Sequence, residues 1–199
     1  MNIAALRQHI RPDERIHGIF TEAGEKPNIV PRQAAATWYV RSADMTSLQP
    51  LKARVLDCLE GATRACGCSM EAVWDGHSYA EVRDNETMAN AFAANMQSIG
   101  RTVSDPRVTG RRVVGSTDMG NVSYLVPSIH PMVQVAPTGV PIHTRDFAEY
   151  AGGDARDRAV LDGARAMAMT VVDLWTDEAL RERVAREFAT FPKTVDVLA

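Results

Sequence analysis

His143 is the side chain best placed for chemistry in this sequence. It stands in the run TGVPIHTRDF, flanked by Pro141, Thr144 and Asp146. A neutral imidazole is a common metal ligand and carries protons near neutral pH. A hydroxyl and a carboxylate beside it are the groups that orient such a ring. A loop histidine that merely hydrogen-bonds backbone is the competing explanation. The turn Gly115, Ser116, Thr117, Asp118 offers backbone N–H groups and two hydroxyls, suited to a carboxylate or a developing oxyanion; a plain turn before a strand would use the same residues. Asn28 lies in KPNIVP, where two prolines restrict the loop around a side-chain amide that can meet a polar substrate group. Arg41 follows Trp38 and Tyr39 at the end of an apolar run, and its planar fork matches a carboxylate. A turn-forming Asn and a solvated Arg are the ordinary alternatives. His17 reads as structural and His9 as a surface residue, while Asp118, His77 and His130 stay open. Cys66 and Cys68 form a CxC pair, with Cys58 a third thiol. No second pair or nearby histidine completes a zinc spacing, so reduced thiols of a cytoplasmic protein are preferred over a metal or redox role.

Composition narrows the field. The chain has 199 residues, of which 45% are hydrophobic and 24% charged, enough for one domain or two small ones. A net charge of -3 gives no electrostatic case for nucleic acid or an anionic membrane. No apolar run approaches the roughly 20 residues that span a bilayer, and the first residues, MNIAALRQHIRPDER, lack the apolar core of a signal peptide.

The elements that must position these residues follow from periodicity. Residues 1–10 read as the tail of a helix stopped by Pro12. Residues 15–21 and 34–40 alternate and read as a strand pair. The spacing of Leu48, Leu51, Val55, Leu56 and Leu59 predicts a helix over 45–65, capped by Asp44 and ended near Gly67. Residues 68–74 alternate and predict a third strand. A helix is expected over 86–99, with Met88, Phe92, Asn95, Met96 and Ile99 on one face. The apolar runs 122–126 and 132–135 predict two buried strands. His143 would then sit in the loop after the second one, where α/β sheets gather their ligands. A long helix capped by Asp154 is expected to end near Trp175, laying Ala164, Ala168, Val171 and Val172 against a sheet; Thr176 would cap a last helix to about Phe188.

Three segments in order carry a family resemblance: RIHGIFTEAGEKPNIVP with ATWYVRS, then GSTDMGNVSYLVPSIHPMVQVAP, then PIHTRDFAEYAG. Together they resemble the zinc amidohydrolases and metallopeptidases that include aminoacylase, carnosinase and succinyl-diaminopimelate desuccinylase. The likeness is greatest to the branch of β-alanyl-lysine dipeptidase and p-aminobenzoyl-glutamate hydrolase. The resemblance implies an α/β, partial two-domain architecture. Residues 1–83 would be most of an α+β lid, an antiparallel sheet with a helix, through which two protomers pair as a homodimer. Residues 84–199 would be the C-terminal part of a mixed α/β catalytic domain holding one or two zinc ions. The substrate would be a small peptide or N-acyl amino acid. It further implies that His143 is a metal ligand, that Asn28 and Arg41 bind substrate, Arg41 through the carboxylate, and that Gly115, Ser116 and Thr117 line the pocket. The family's HxD motif and Glu-Glu pair occur nowhere in this sequence, so most metal ligands and the general base are absent from it. The expectation is a C-terminal half of such an enzyme with an incomplete zinc site, inactive alone, its apolar faces uncovered. The alternative is a non-catalytic piece that serves dimerisation and substrate binding.

Overall fold

Asp44 starts the longest helix of the first half of the chain. Its Oδ1 accepts hydrogen bonds from the Ser47 backbone N–H at 2.7 Å and the Ser47 hydroxyl at 2.8 Å, which satisfies donors that a first helical turn leaves free. In the computed structural model, which describes residues 1–105, 116–192 and 197, the helix runs over Met45–Ala65. Gly67 ends it at φ 67°, and the Cys68 N–H returns to the Thr63 carbonyl at 2.9 Å, a left-handed closure that glycine permits.

The chain divides into two compact units. One covers Met1–Glu81 and includes Val197; the other is Val82–Lys193. In the first, a short helix α1 (Asn2–Leu6) precedes strands β1 (Arg15–Glu22) and β2 (Ala35–Arg41), then α2 (Met45–Ala65). The strands pair antiparallel, with Ile16 opposite Val40 and Gly18 opposite Trp38. Ile3, Leu6, Ile16, Leu51 and Val55 form the core, flanked by Trp38, Val40 and Leu59. Gly18 is required where it stands: a Cβ there would lie 2.2 Å from the Trp38 ring. Residues 68–74, expected as a third strand, form none. That stretch is tied to α2 by side chains instead. Lys52 Nζ lies 4.4 Å from the Trp74 ring centroid, and the Glu81 carboxylate accepts the Met45 N–H at 3.0 Å.

In the second unit the described elements are helices: α3 (Glu86–Ser98), α4 (Met119–Leu125), α5 (Arg145–Tyr150), α6 (Asp154–Thr176) and α7 (Glu178–Ala189). The expected strand over 122–126 is α4. Gly120 and Ser123 turn inward while Val122, Leu125 and Val126 stay exposed, a burial pattern of helical spacing that the bulky apolar run hides. Residues 132–135 also form no strand; Val133, with Ile129, packs irregularly against Phe92, Met96 and Ala166. With a two-stranded sheet and helices the chain remains a mixed α/β structure.

Two capping expectations shift by one residue. Gly153, not Asp154, occupies the cap position of α6, and Asp177, not Thr176, caps α7 through the Leu180 N–H at 2.9 Å. The face of α6 is also reversed. Ala159, Gly163, Ala166 and Thr170 are buried, whereas Ala164, Ala168, Val171 and Val172 are exposed. Polar groups fix α3 in this unit. Asn95 Nδ2 donates to Asp173 Oδ2 at 2.7 Å and Thr170 Oγ1 at 3.1 Å. Buried Asn85 accepts from the Met88 N–H and donates to the Val184 carbonyl, both at 3.0 Å. The Glu187 carboxylate from α7 accepts the Glu86 and Thr87 N–H groups at the start of α3.

Candidate functional site

The sequence of the loop that carries His143 determines its shape. Gly139 turns it at φ 103°, and the Val140 N–H bonds the Pro137 carbonyl at 3.2 Å. Thr144 then caps α5: its hydroxyl donates to the Pro141 carbonyl at 2.8 Å and accepts the Phe147 N–H at 3.2 Å. Between these two fixed points His143 takes φ 64°, the one positive value for a non-glycine residue among those described. A side chain in that region is strained by about 1–2 kcal/mol, and strained residues of this kind gather at functional positions. The imidazole is exposed and forms no hydrogen bond with any described residue. The loop leads into a helix and does not leave the end of a strand, so its place in the fold is set by backbone conformation and not by a sheet edge.

Ser116 and Thr117 precede α4. Thr117 Oγ1 accepts the Met119 N–H at 3.3 Å, and the Gly120 N–H bonds the Thr117 carbonyl at 3.1 Å. The Thr117 hydroxyl also stands 3.5 Å from Asp118 Oδ1, and Ser116 is exposed. Asp118 holds the cap position without a side-chain cap bond. Gly115 lies outside the described residues. No hydrogen bond joins this turn to the His143 loop among those residues.

In the first unit Asn28 is exposed in the loop between the strands. Gly24 at φ 100° and the Ile29 N–H bonded to the Lys26 carbonyl at 3.2 Å shape that loop. Arg41 closes β2 opposite Arg15. Its guanidinium carbon lies 6.0 Å from the Tyr39 ring centroid, at the outer limit of a cation–π contact. Arg41 is exposed and accessible to an anionic group. His17 is exposed on β1 and not in the core; His77 and His130 are exposed as well. Cys66 and Cys68 are exposed and Cys58 half-buried, all three free thiols.

Among the described residues no three His, Cys, Asp or Glu side chains converge where they could share a metal ion. Catalytic zinc needs about three protein ligands, and His143 belongs to no such group among the described residues. Two polar groupings were not singled out from the sequence as features of this unit. One is Asn95 with Thr170 and Asp173; its signal was an asparagine on the apolar face of α3. The other is Arg83, whose guanidinium carbon stands 3.5 Å from the Tyr124 ring centroid while Nη1 donates to the Pro192 carbonyl. The first joins α3 to α6; the second ties the segment before α3 to α4 and to the stretch after α7. No helix of the described residues is long and apolar enough to cross a membrane.

No family model matches the sequence. Individual relatives do. Over 187 residues the chain is 36% identical to Xaa-Arg dipeptidase of Mus musculus and 33% identical to the Homo sapiens protein of the same name, in each case over 94% of this chain and 43% of the relative. It is 23% identical over 235 residues to one of the polypeptides of p-aminobenzoyl-glutamate hydrolase of Escherichia coli (strain K12), over 92% of this chain and 49% of the relative. The chain thus spans less than half the length of the curated relatives it matches. Over 92–94% of its length the chain is similar to part of the Xaa-Arg dipeptidases and of p-aminobenzoyl-glutamate hydrolase, which is consistent with a portion of a peptidase and amidohydrolase family.

Proposed function

We propose that this chain is part of a metal-dependent amidohydrolase that cleaves the amide bond joining an acyl or aminoacyl group to an amino acid with a free carboxylate. The observation that carries this reading is the 36% identity to Xaa-Arg dipeptidase over 94% of the chain. The two relatives' names point to one chemistry: a dipeptide ending in Arg and p-aminobenzoyl-glutamate both have an amide nitrogen that belongs to a free amino acid. Hydrolysis adds water across that bond and releases the amino acid and a carboxylic acid.

The roles assigned to this chain's residues are binding and orientation. Arg41, at the rigid end of β2, grips the substrate carboxylate through its fork. Asn28 offers an amide to the substrate's polar groups. Ser116 and Thr117, with Gly115, line the pocket. His143 donates to a metal ion, zinc by analogy with the family, whose remaining ligands lie outside the described residues; the ion would polarise the amide carbonyl and supply activated water. Residues 1–83 serve as a lid and residues 84–199 as part of the catalytic domain of a cytoplasmic homodimer. A second reading, a non-catalytic dimerisation and substrate-binding piece, draws on the outer face of the hairpin, where Ile19 and Tyr39 are 68% and 67% exposed.

A chimera tests the first reading. In it this chain replaces the matched stretch of the mouse Xaa-Arg dipeptidase, and hydrolysis of an Xaa-Arg dipeptide and of an N-acyl amino acid is measured. Turnover that falls on Arg41→Ala mainly through a raised KM is expected. A folded chimera with no turnover on either substrate favours the second reading.

A further inference from the structure

Helix α2 ends on two thiols. Cys66 stands at its C-terminal cap, and Cys68 follows with Gly67 between them at φ 67°. The Gly67 N–H bonds the Arg64 carbonyl at 3.3 Å and the Cys68 N–H the Thr63 carbonyl at 2.9 Å, the paired bonds of a Schellman ending. That ending keeps the chain folded back and not extended. Two α carbons flanking one residue of helical-type backbone lie about 5.5 Å apart, and disulfides span about 4.4–6.8 Å between α carbons. The Cys68 side chain is turned the same way: its Sγ donates to the Cys66 carbonyl at 3.7 Å. Both cysteines are exposed, and a Cβ added at Gly67 would meet nothing within 4 Å, so a small reagent reaches the turn freely. Cys58 is half-buried and packs against the core. It lies about 12 Å back along α2 from Cys66, beyond disulfide reach.

We propose that Cys66 and Cys68 form a reversible thiol–disulfide site that reacts with small-molecule disulfides of the glutathione class. The thiolate of one cysteine attacks the small disulfide, forming a mixed disulfide and releasing one small thiol. The second cysteine then attacks the protein sulfur of that mixed bond, closing Cys66–Cys68 and releasing the second small thiol. The two cysteine protons pass to the two departing thiolates; the pair loses two electrons and the small disulfide gains them. The bond closes a small ring at the surface, and strained or exposed disulfides are the readily reduced ones. The pair therefore rests as thiols in a reducing pool and closes when the pool turns oxidising. Closure fixes the exit of the stretch that leads from α2 to Trp74 and Glu81, both of which are held against α2. The site lies within the first unit and stands apart from the metal and substrate roles above.

The test equilibrates the full chain with mixtures of glutathione and glutathione disulfide, quenches with acid, and counts free thiols by alkylation and mass spectrometry. The three free thiols should fall to one, with no glutathione retained. Trypsin should place the bond within the peptide 65–83, which holds both cysteines, and leave Cys58 alkylated in the peptide before it. Cys68→Ser should stop with glutathione bound to Cys66, while Cys58→Ser should close the bond as the parent does. Below its urea transition the chain should be half-oxidised at a glutathione disulfide level at least about tenfold lower than above it, because the turn already holds the two ends together. Three results overturn the proposal. One is three free thiols at every ratio. Another is glutathione retained on both cysteines, or a bond between two chains, in place of the internal one. The last is an equal midpoint on both sides of the urea transition, which would make the bond a property of the spacing and not of the turn.

Discussion

Replacing His143 by glycine separates a chemical role from a structural one, because the two predict opposite signs. The residue holds φ 64°, at a cost of about 1–2 kcal/mol for a side chain with a Cβ. Its ring returns nothing visible to the fold: it is exposed and bonds no described residue. Glycine removes the strain and costs about 0.5–1 kcal/mol through the freer unfolded chain. The difference predicts that His143→Gly leaves stability unchanged or raises it by up to about 1.5 kcal/mol, and that His143→Ala, which keeps the Cβ, stays within about 0.5 kcal/mol of the parent. Urea unfolding reads both, as a shift in midpoint at constant slope. A loss above about 1.5 kcal/mol in the glycine variant would mean that the imidazole holds the loop, and the case for its being a ligand would lose its physical basis.

Other consequences are as direct. Asp44→Ala should destabilise the first unit by about 1 kcal/mol, the usual worth of a helix cap, read by thermal or urea unfolding. Glu187→Gln should cost about 1–2 kcal/mol, since the carboxylate accepts two N–H groups of α3. Both carboxyls also set an acid limit. The Ser47 N–H and hydroxyl hold Asp44 below its ordinary 3.8. Burial alone would raise Glu187, but the Thr87 hydroxyl and the Thr87 and Glu86 N–H groups outweigh it and hold the carboxyl below 4.5. The folded chain therefore binds fewer protons than the unfolded one in that range. Their stabilisation is complete above those ordinary values and is lost as pH falls through the lowered ones, so a stability profile taken from pH 4.5 downward should flatten in the double variant Asp44→Asn, Glu187→Gln. Gly18→Ala should displace Trp38, whose ring sits 2.2 Å from the added Cβ, at a cost of about 1–3 kcal/mol with a red shift in tryptophan emission.

What could be read from residues alone tracks where local signals and packing agree. Helix α2 was legible to the residue because a cap, a sustained apolar period and a closing glycine coincide over Met45–Ala65. The hairpin was legible because alternation marks both strands. The runs at 122–126 and 132–135 misled because β-branched content says only that a side chain fits a half-buried surface. In α4 the decisive residues are small: Ser123, fully buried, accepts the Arg83 N–H at 2.9 Å and donates to the Gly120 carbonyl. In α6 the apolar pattern has two faces, and residue type could not tell which meets α3; the choice is made by Asn95, whose amide draws Thr170 and Asp173 inward. Of the candidate site, His143 was legible by type and context, but its left-handed backbone was not, since only the Gly139 turn and the Thr144 cap together impose it.

The decisive measurement is the metal content and turnover of a chimera carrying this chain in place of the matched 187 residues of mouse Xaa-Arg dipeptidase, compared with its His143→Ala variant after both are equilibrated with zinc. If His143 is a metal ligand, the variant folds with unchanged midpoint, loses bound zinc and loses Xaa-Arg hydrolysis by more than about 100-fold, beyond what removal of a merely orienting group costs. A variant that keeps full zinc occupancy and full turnover would contradict that role.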